Sequence, residues 1–374
     1  MKQKLYRLTT ISCSFKELLK GQLEYMNNHY DVTAVAADTG TLAEVGEVEG
    51  VRTVDVPMAR EIALWRDIKS LVALYRLFRQ ERPYIVHANT PKASLLGMVA
   101  AWLARVPNRV YTVTGLRFET TSGLLRFVLK SMERVTCMCA TRVIPEGDGV
   151  KATLRREAIT RKPLQKILNG NINGVNLAYY DRTTEVMAEA ESIKSAKLTF
   201  IFVGRIVGDK GVNELVEAFD RLSARYGDVR LMIVGRFEDS LDPISSVARE
   251  TIERNKDIVL AGYQHDVRPY LAASDILVLP SYREGFPNVV IQAGAMGLPS
   301  IVTDISGSNE IIVDGVNGLV VPKRSVDRLY EAMVAVVEDR EMLGRLSSVA
   351  RTMVATRYAQ HDVWRATLQM YNAL

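Results

Sequence analysis

The sequence predicts an α/β protein built from two doubly wound parallel sheets, one in each half of the chain. At 374 residues the chain is too long for one ordinary core and suits two domains. Short apolar segments alternate with amphipathic segments of helical spacing, and the pattern restarts after the polar stretch 176–196. Strands that alternate with helices over such lengths form parallel sheets with right-handed crossovers.

The first half of the chain contains a regular succession of strand and helix patterns. The helix predicted at 64–82, which stops before Pro83, is strongly amphipathic, with one apolar stripe along its length. That stripe consists of Leu64, Ile68, Leu71, Leu74, Tyr75 and Phe78. The segment 165–175 predicts a last strand that runs into an Asn/Gly-rich loop. The other predicted strands are 4–12, 30–37, 84–88, 109–115 and 141–147, and the other predicted helices are 15–28, 93–106 and 123–140.

The second half repeats the alternation and ends in helix from residue 326 onward. Its predicted strands are 197–205, 229–236, 258–262, 276–281 and 299–304, and its predicted helices are 212–226, 242–255, 267–275 and 287–297. We place a first domain at 1–175, a linker or hinge at 176–196, a second domain at 197–357 and a terminal helix at 358–374. Two such Rossmann-like domains are expected to face a central cleft at the carboxyl ends of their strands.

Charge is distributed unevenly between the two halves. Residues 1–180 carry 26 Lys and Arg against 16 Asp and Glu, whereas residues 181–374 carry 22 against 27. A basic half suggests an anionic surface or substrate. Nucleic acid is not expected, because aromatic-basic clusters and nucleic-acid motifs are missing. An anionic bilayer and a soluble anionic acceptor are both compatible with this charge. The chain is not expected to cross a membrane, because the uncharged stretch 93–104 has 12 residues and a spanning helix needs roughly 20.

The cysteines and the start of the chain favour a reducing cytoplasm. The chain has three cysteines, Cys13, Cys137 and Cys139. An odd number cannot all pair in disulfides within the chain, and their spacing is not that of metal ligands. The first residues carry two lysines in a mixed strand pattern, without the apolar core and cleavage site of a signal peptide.

The first candidate motif is the stretch VGRIVGDKG at 203–211, which follows a strand and precedes a helix. Gly204 would allow the backbone to approach a ligand closely, and Arg205 and Lys210 place two cations beside a helix N-terminus. The motif could clamp a phosphate or diphosphate, or it could be a solvated basic loop. Its spacing matches neither the P-loop nor the dinucleotide fingerprint, so both interpretations stay open.

The second candidate motif surrounds Glu284, which follows a strand and precedes a predicted helix. Gly285 and Pro287 frame the turn tightly, and the amides of such a turn can hold a phosphate oxygen. The carboxylate could favour the helix dipole, or it could accept hydrogen bonds from sugar hydroxyls. Together the two motifs predict a nucleotide-sugar site. Their cations and amides would bind a diphosphate, and the acid would bind the hydroxyls of the sugar attached to that diphosphate.

With these motifs, the chain resembles the retaining glycosyltransferases of family 4, which have the two-domain GT-B fold. The resemblance covers essentially the whole chain, and the segments that carry it are VGRIVGDKG, DILVLPSYREGFPNVVIQAGAMGLPSIVTD, EIIVDGVNGLVVP, IVHANTPKASLLG, YTVTGLRFE and NGNINGVN. The last three are similar to the members that build capsule, O-antigen and lipid-linked glycans. The resemblance implies that the terminal helix at 358–374 crosses back to the first domain.

The resemblance also implies roles for the residues of the two motifs. Arg205 and Lys210 would bind the donor diphosphate, and Glu284 would bind the donor-sugar hydroxyls. The remaining implied donor-binding positions are Gly204, Gly285, Phe286, Pro287, Asn288, Val289 and Gln292.

Three positions depart from the family pattern. Gln292 stands where the family has a second acid that binds the nucleotide ribose; an amide can still accept that hydrogen bond, but without the charge-assisted part of roughly 1 kcal/mol. Thr114 and Asn89 stand where histidines are common. Since no general base is evident, we expect front-side displacement, in which the donor phosphate assists deprotonation of the acceptor hydroxyl and the protein stabilises the leaving diphosphate.

The basic half is expected to bind the acceptor. His87 and Lys92 lie at or after one strand end, and Thr114 and Arg117 at or after the next. His87 could instead be a satisfied structural histidine. A row of cations at Arg126, Lys130 and Arg134 lies beside apolar residues and suits an anionic lipid surface with a polyprenyl diphosphate-linked acceptor, or is an ordinary solvated helix face.

The predicted function is transfer of a sugar from a nucleotide-sugar, with uridine favoured, to a lipid-linked or growing glycan of the cell envelope. The chain would lie in the cytoplasm, on the inner face of the plasma membrane. The sequence contains no Asp-x-Asp pair, so fixed cations are expected to replace a metal and no cofactor is predicted. The alternatives are a nucleotide-sugar 2-epimerase and a catalytically degenerate nucleotide-sugar-binding protein.

Overall fold

The computed structural model describes residues 2–59, 61, 63–239 and 242–374. The chain forms two compact units. The first unit contains the residues up to Gly174 together with Gln360–Leu374, and the second unit contains Val175–Ala359. Each unit is a doubly wound sheet with helices on both faces, which confirms the fold class predicted from the sequence.

The first unit is built on six parallel strands. They are β1 Lys4–Ile11, β2 Asp31–Ala37, β3 Arg52–Asp55, β4 Ile85–Ala88, β5 Asn108–Val113 and β6 Arg142–Pro145. Their order across the sheet is β3-β2-β1-β4-β5-β6. All five pairings are parallel, as in a Rossmann sheet. The short edge strand β3 is absent from the sequence prediction, because its polar residues do not form an apolar run.

Alternate strand residues of the first unit pack against two separate helical layers. The helices are α1 Cys13–Leu18, α2 Gln22–Asn27, α3 Leu42–Glu49, α4 Leu64–Glu81, α5 Pro91–Leu103, α6 Gly123–Cys139, α7 Asp148–Arg156 and the C-terminal α16 Gln360–Asn372. One core joins the sheet to α4, α5, α6 and α7, and the other joins it to α1, α2, α3 and α16. A parallel sheet covered on both faces has strands that are nearly continuous apolar runs, as β1 and β2 are.

The second unit repeats the same architecture around one extended core. Its strands are β7 Leu198–Val203, β8 Val229–Val234, β9 Ile258–Gly262, β10 Ile276–Leu279, β11 Ser300–Thr303 and β12 Gly318–Val321. Their order is β12-β11-β10-β7-β8-β9, again all parallel. Its helices are α8 Thr184–Ile193, α9 Val212–Arg225, α10 Ser246–Arg254, α11 Arg268–Ala272, α12 Asn288–Ala295, α13 Ser308–Ile311, α14 Val326–Glu338 and α15 Arg340–Tyr358.

The stretch 176–196, expected from the sequence to be a linker, contains helix α8. Val186 and Ala190 of this helix are buried in the core of the second unit. Thr183 caps it by accepting a hydrogen bond from the amide of Val186. The helix is difficult to recognise in the sequence because only one narrow side of it is apolar.

The structure removes one predicted strand and divides the apolar stripe of α4 between the core and solvent. The segment 165–175 forms no strand; its Asn171 side chain instead accepts hydrogen bonds from the amides of Asn173 and Gly174, which curls the backbone into a turn. The apolar stripe on α4 does not all face the core. Leu74 and Phe78 are buried, but Leu64, Ile68 and Tyr75 are exposed to solvent.

The C-terminal helix α16 packs on α2 within the first unit. Val363 and Tyr371 are buried there, and the indole of Trp364 donates a hydrogen bond of 2.7 Å to Asn173. The hydroxyl of Tyr30, after α2, donates to Asn372 at 2.9 Å. These contacts tie the end of the chain to the first unit.

No helix in the described part of the chain has both the length and the apolar composition needed to cross a bilayer.

We predict a pH-dependent stability that originates at Glu133 on α6. Burial raises the pKa of Glu133 to about 7, although the buried Tyr111 hydroxyl donates a hydrogen bond to the carboxylate at 2.7 Å. Between about pH 4.5 and 7 the folded chain therefore holds a proton that the unfolded chain releases. The free energy of unfolding should fall across this window by about 1–3 kcal/mol as the pH rises.

Urea unfolding of the variant Glu133→Gln at pH 5, 6, 7 and 8 checks this prediction. The variant carries no proton that titrates, so this part of the pH dependence should disappear. The control Glu253→Gln changes an exposed carboxylate of α10 and should keep it. Equal slopes in both variants would contradict the assignment to Glu133.

Candidate active site

The candidate donor site of the second unit lies where its sheet changes winding direction. Strands β7 and β10 are neighbours, but β8 and β9 continue on one side and β11 and β12 on the other. The segments after β7 and β10 therefore leave the sheet in opposite directions and open a crevice at the carboxyl edge. Doubly wound sheets bind ligands at this topological switch point.

A glycine allows the segment after β7 to approach the end of β10. This segment contains a 3₁₀ turn at Gly208–Lys210, and Gly211 then begins α9 with a φ of +70°. A Cβ atom on Gly211 would lie 2.1 Å from the carbonyl oxygen of Pro280, which follows β10. Only glycine has both the conformation and the space required here. The close approach brings Lys210 next to the turn that carries Glu284.

Lys210 and Glu284 form an ion pair at this point. The Lys210 ammonium donates to Glu284 Oε1, and the Ser281 hydroxyl donates to the same oxygen at 2.8 Å. The two charged side chains are 19% and 14% exposed, so the pair is shielded from bulk water but can be reached from it. Two of the predicted catalytic residues are thus in direct contact, with opposite charges paired.

Arg205, the third predicted catalytic residue, is directed to a different carboxylate. Its guanidinium donates to Glu238 Oε2 at 2.8 Å, and its side chain is about half exposed. Glu238 follows β8, the neighbour of β7 on the other side, and the bridge between Ile206 and Phe237 holds the two segments together. Gly204, before Arg205, continues the strand through the hydrogen bond from its amide to Val234.

The turn after Glu284 is shaped by close packing. Gly307, with a φ of +78°, lies so near that a Cβ atom would be 2.4 Å from the carbonyl oxygen of Gly285. The Phe286 ring is buried edge-on against Tyr358, with ring centroids 5.5 Å apart. Phe286 is therefore an anchor for the turn, and its side chain is directed into the core.

Helix α12 begins directly after this turn. Pro287 precedes it and offers no side-chain cap, so the positive end of the helix dipole faces the turn at Glu284. Asn288 and Val289, the first two helical residues, are half-buried. Gln292 is also half-buried, one helical turn further on, and its side chain has no hydrogen-bond partner among the described residues. A helix start can hold an anion, and this one follows the turn that carries Glu284, the partner of Lys210.

In the first unit, His87 is part of a buried polar cluster. Arg7 of β1 is buried and donates to His87 Nδ1, to Tyr371 at 2.7 Å and to Asn89 at 2.9 Å. His87 Nε2 lies 2.7 Å from the Thr112 hydroxyl. Because a guanidinium can only donate, Nδ1 of His87 accepts and its proton resides on Nε2.

The environment of His87 keeps it neutral. Burial, followed by the charge of Arg7, holds the pKa of His87 well below its usual range. Its basic nitrogen is occupied by the guanidinium, so this histidine has no free position from which to accept a substrate proton. The structure therefore gives it the structural role that the sequence left open.

The other predicted acceptor-side residues differ in their exposure. Lys92 is buried and donates to Asp67 and to the carbonyl of Glu61 at 2.7 Å, so its charge is directed into the protein. Thr114 is half-buried and donates to the carbonyl of Asn89 at 3.0 Å. Arg117 is exposed and has no ion-pair partner in the described part of the chain. Of these residues, Arg117 is the cation that a ligand could reach.

The two units match known protein families separately. The family model described as Glycosyl transferases group 1 matches residues 197–339, and the one described as Glycosyl transferase 4-like domain matches residues 21–170. The capsular polysaccharide biosynthesis glycosyltransferase CapM of Staphylococcus aureus is 31% identical over 376 residues, which cover 99% of this chain and 97% of the relative. The chain belongs to the group 1 glycosyltransferases.

Two further comparisons extend this assignment. The UDP-Gal:alpha-D-GlcNAc-diphosphoundecaprenol alpha-1,3-galactosyltransferase of Escherichia coli is 28% identical to this glycosyltransferase, covering 89% of the chain and 86% of the relative. The crystal structure of Anabaena HepE in complex with UDP-glucose superposes with a TM-score of 0.83 at 17% identity, covering 99% of this chain and 100% of that one. At that identity the structural likeness shows the GT-B fold.

Several residues of this glycosyltransferase's site were not predicted from the sequence. Ser281 donates to Glu284, Glu238 accepts from Arg205, and Arg283 donates to Asp209 at 3.2 Å. Each lies in a segment that follows a strand, which is the one signal in the sequence that could have identified them. Their pairing depends on which strands are neighbours, and a sequence read alone does not reveal that.

We predict that Gly211→Ala destabilises this glycosyltransferase more than an ordinary glycine substitution does. Both the positive φ and the contact with the Pro280 carbonyl oppose a Cβ atom. The matched control is Gly297→Ala, since Gly297 has a similar φ of +75° but no described atom within 4 Å of the added methyl group.

Thermal unfolding of the two variants measures the difference. The control should lose about 1–2 kcal/mol from its backbone conformation alone. Gly211→Ala should lose at least about 1–3 kcal/mol more, because a well-packed contact must open. Equal losses would show that Gly211 does not fix the approach of α9 to β10.

Proposed function

We propose that this glycosyltransferase moves a sugar, with retention of configuration, from a nucleotide-sugar to a lipid-linked or growing glycan. The observation that carries the proposal is the Lys210–Glu284 ion pair at the switch point, beside the start of α12. A uridine diphosphate sugar is the favoured donor. The product would contribute to a cell-envelope polysaccharide such as capsule or O-antigen.

The diphosphate of the donor would be held by the two cations. In the structure, the charges of Lys210 and Arg205 are each balanced by a carboxylate, Glu284 and Glu238 respectively. A diphosphate brings more negative charge than one carboxylate, and the first amides of α12 would support it. Lys210 and Arg205 would then stabilise the charge that develops on the leaving group.

Glu284 would orient the donor sugar once Lys210 turns toward the diphosphate. A carboxylate accepts hydrogen bonds from sugar hydroxyls, and the Ser281 hydroxyl fixes its rotamer. In the transfer step, the bond between the anomeric carbon and the diphosphate oxygen breaks, and its electron pair stays on the diphosphate. The acceptor oxygen bonds to the same face of that carbon, and its proton passes to a donor phosphate oxygen.

Fixed cations would take the place of a divalent metal in this reaction. Lys210 and Arg205 carry two positive charges at the strand ends, where a metal-dependent transferase would hold an ion on the diphosphate. We therefore expect that turnover needs no added metal and persists in EDTA.

The acceptor is proposed to be a polyprenyl diphosphate-linked glycan at the inner face of the plasma membrane. The name of the Escherichia coli relative specifies a UDP-sugar donor and a diphosphoundecaprenol acceptor. The Staphylococcus aureus relative is named for capsule synthesis. The basic charge of residues 1–180 is suited to an anionic acceptor and to anionic lipid.

Product analysis tests the proposed function directly. The purified protein is incubated in EDTA with radiolabelled UDP-sugars, then with GDP- and ADP-sugars, and with prenyl diphosphate-linked N-acetylglucosamine. Release of the nucleoside diphosphate with label in the lipid is expected. An epimerised donor would support the 2-epimerase instead, and thermal stabilisation by a nucleotide-sugar without any product would support the degenerate binding protein.

Lys210→Ala should lower kcat in this assay by about 10²–10³-fold, because it removes a cation that stabilises the leaving diphosphate. The matched control is Lys197→Ala, which breaks the Lys197–Asp257 ion pair at the amino end of β7. The control should keep nearly full activity. Thermal unfolding should show both variants folded, and a rate unchanged by Lys210→Ala would refute the clamp.

Gln292→Glu should tighten binding of the uridine diphosphate, or leave it unchanged. A carboxylate would form a charge-assisted hydrogen bond to the ribose, worth about 1 kcal/mol or roughly five-fold in Kd. Isothermal titration measures the change, with Gln369→Glu on α16 as a variant that adds the same charge in the first unit. A large loss of affinity would mean that Gln292 does not face the ribose.

A further inference from the structure

The first unit exposes large apolar side chains on two of its helices. Trp65 is 82% exposed, Leu124 78% and Phe127 64%. The other exposed apolar residues of α4 and α6 are Leu64, Ile68, Val72, Tyr75, Leu125, Val128, Val135 and Met138. We call these exposed residues together the α4–α6 face. Two helices of one layer that expose this many large apolar side chains are a candidate interaction site.

Helix α6 turns most of its charged side chains inward and its large apolar side chains outward. Arg126 and Lys130 both bond to Glu157, at 2.9 and 2.7 Å, and lie half-buried. Leu124 and Phe127 of the same helix face solvent. A surface helix of a globular protein normally has the reverse arrangement. The outer side of α6 is therefore suited to an apolar partner.

The α4–α6 face includes the carboxyl edge of the first sheet. Helix α5 packs against both α4 and α6, so the three helices form one layer. Each connects parallel strands and so runs opposite to them, beginning at the carboxyl edge of the sheet. Trp65 and Leu124 lie in the first turns of their helices, at the carboxyl edge of the sheet.

The charged residues exposed on α4 and α6 are all basic. They are Arg66, Lys69, Arg76, Arg79 and Arg134. The acidic residues of these two fully described helices are half-buried and engaged inside the protein. Asp67 accepts from Lys92, Glu81 from Lys4 and Glu133 from Tyr111. The charges that α4 and α6 themselves expose beside the apolar side chains are thus all positive.

We propose that the α4–α6 face docks onto an anionic lipid bilayer. Tryptophan and other large apolar side chains enter the boundary between headgroups and acyl chains, and arginine and lysine around them pair with anionic headgroups. A second copy of the chain fits less well, because two such faces would bring their basic borders together. The inference rests on the proposed function, and it names the surface by which the enzyme meets the membrane that holds its acceptor.

Vesicle binding of the full chain tests the proposal. Phosphatidylcholine vesicles with and without 30% phosphatidylglycerol, a composition chosen as the probe, are sedimented with the protein at low and high salt. Binding is expected to the anionic vesicles and to weaken in salt. Trp65→Ser, and Leu124→Ser with Phe127→Ser, should each weaken it by about 10-fold or more.

The matched control is the double variant Val48→Ser with Val247→Ser. Both residues are exposed apolar side chains outside the α4–α6 face, on α3 and α10. This control should bind vesicles like the unaltered chain. Failure of the unaltered chain to bind anionic vesicles, or equal loss in test and control variants, overturns the proposal. The proposal is also overturned if the unaltered chain does not bind vesicles but sediments as a dimer, and the test variants sediment as monomers.

Transfer assays separate this inference from the proposed function. Each variant is assayed with a water-soluble, short-chain prenyl diphosphate acceptor and with the same glycan on a long prenyl chain in vesicles. The α4–α6 variants should lose activity only toward the vesicle acceptor. Transfer to the soluble acceptor without vesicle binding would overturn the inference and leave the function intact. Vesicle binding through this face without transfer to either acceptor would overturn the proposed function and leave the inference intact.

Discussion

The contact between Lys210 and Glu284 depends on where the second sheet reverses its winding. The two side chains are 74 residues apart in sequence. They meet because β7 and β10 are neighbouring strands, and the segments that follow these strands border the same crevice. Gly211 makes the meeting possible, since a side chain there would collide with the Pro280 carbonyl. The Lys210–Glu284 pair is mostly shielded from water, which strengthens it, but it is exposed enough for a ligand to reach it. In the proposed function, a diphosphate, which carries more charge than one carboxylate, would replace Glu284 as the partner of the Lys210 ammonium.

The sequence predicted the fold, and it placed the candidate charged residues of the site at strand ends, because both features depend on local patterns. Alternating strands and helices predict a doubly wound sheet, and Arg205, Lys210 and Glu284 each lie within a few residues of a strand end. The partners of these residues could not be predicted in the same way. Glu238 and Ser281 reach them through strand adjacency, which depends on tertiary packing. Helix α8 was missed because Val186 and Ala190 form only a narrow apolar side.

Burial distinguishes His87 and Lys92, predicted on the acceptor side, from the charged residues predicted on the donor side. Lys92 and His87 were placed there because they follow or end a strand, yet both are directed into the protein. Asp67, 25 residues from Lys92, supplies the inward partner, and Arg7 does so for His87. A position at a strand end makes a side chain available to either the core or a ligand. Only the packing of the neighbouring helices decides between them.

Helix α4 shows how periodicity can be correct and still mislead. Its apolar stripe is real, but Leu74 and Phe78 cover the sheet while Leu64 and Ile68 face outward. A helix that is apolar on two sides is expected to bury both of them. The inner side of α4 packs on the sheet, and the outer side is then available to a partner. The exposed charges along α4 are positive, which disfavours a basic partner and favours an anionic one. A bilayer supplies both an apolar interior and anionic headgroups, and a lipid-linked acceptor would be held in that same layer.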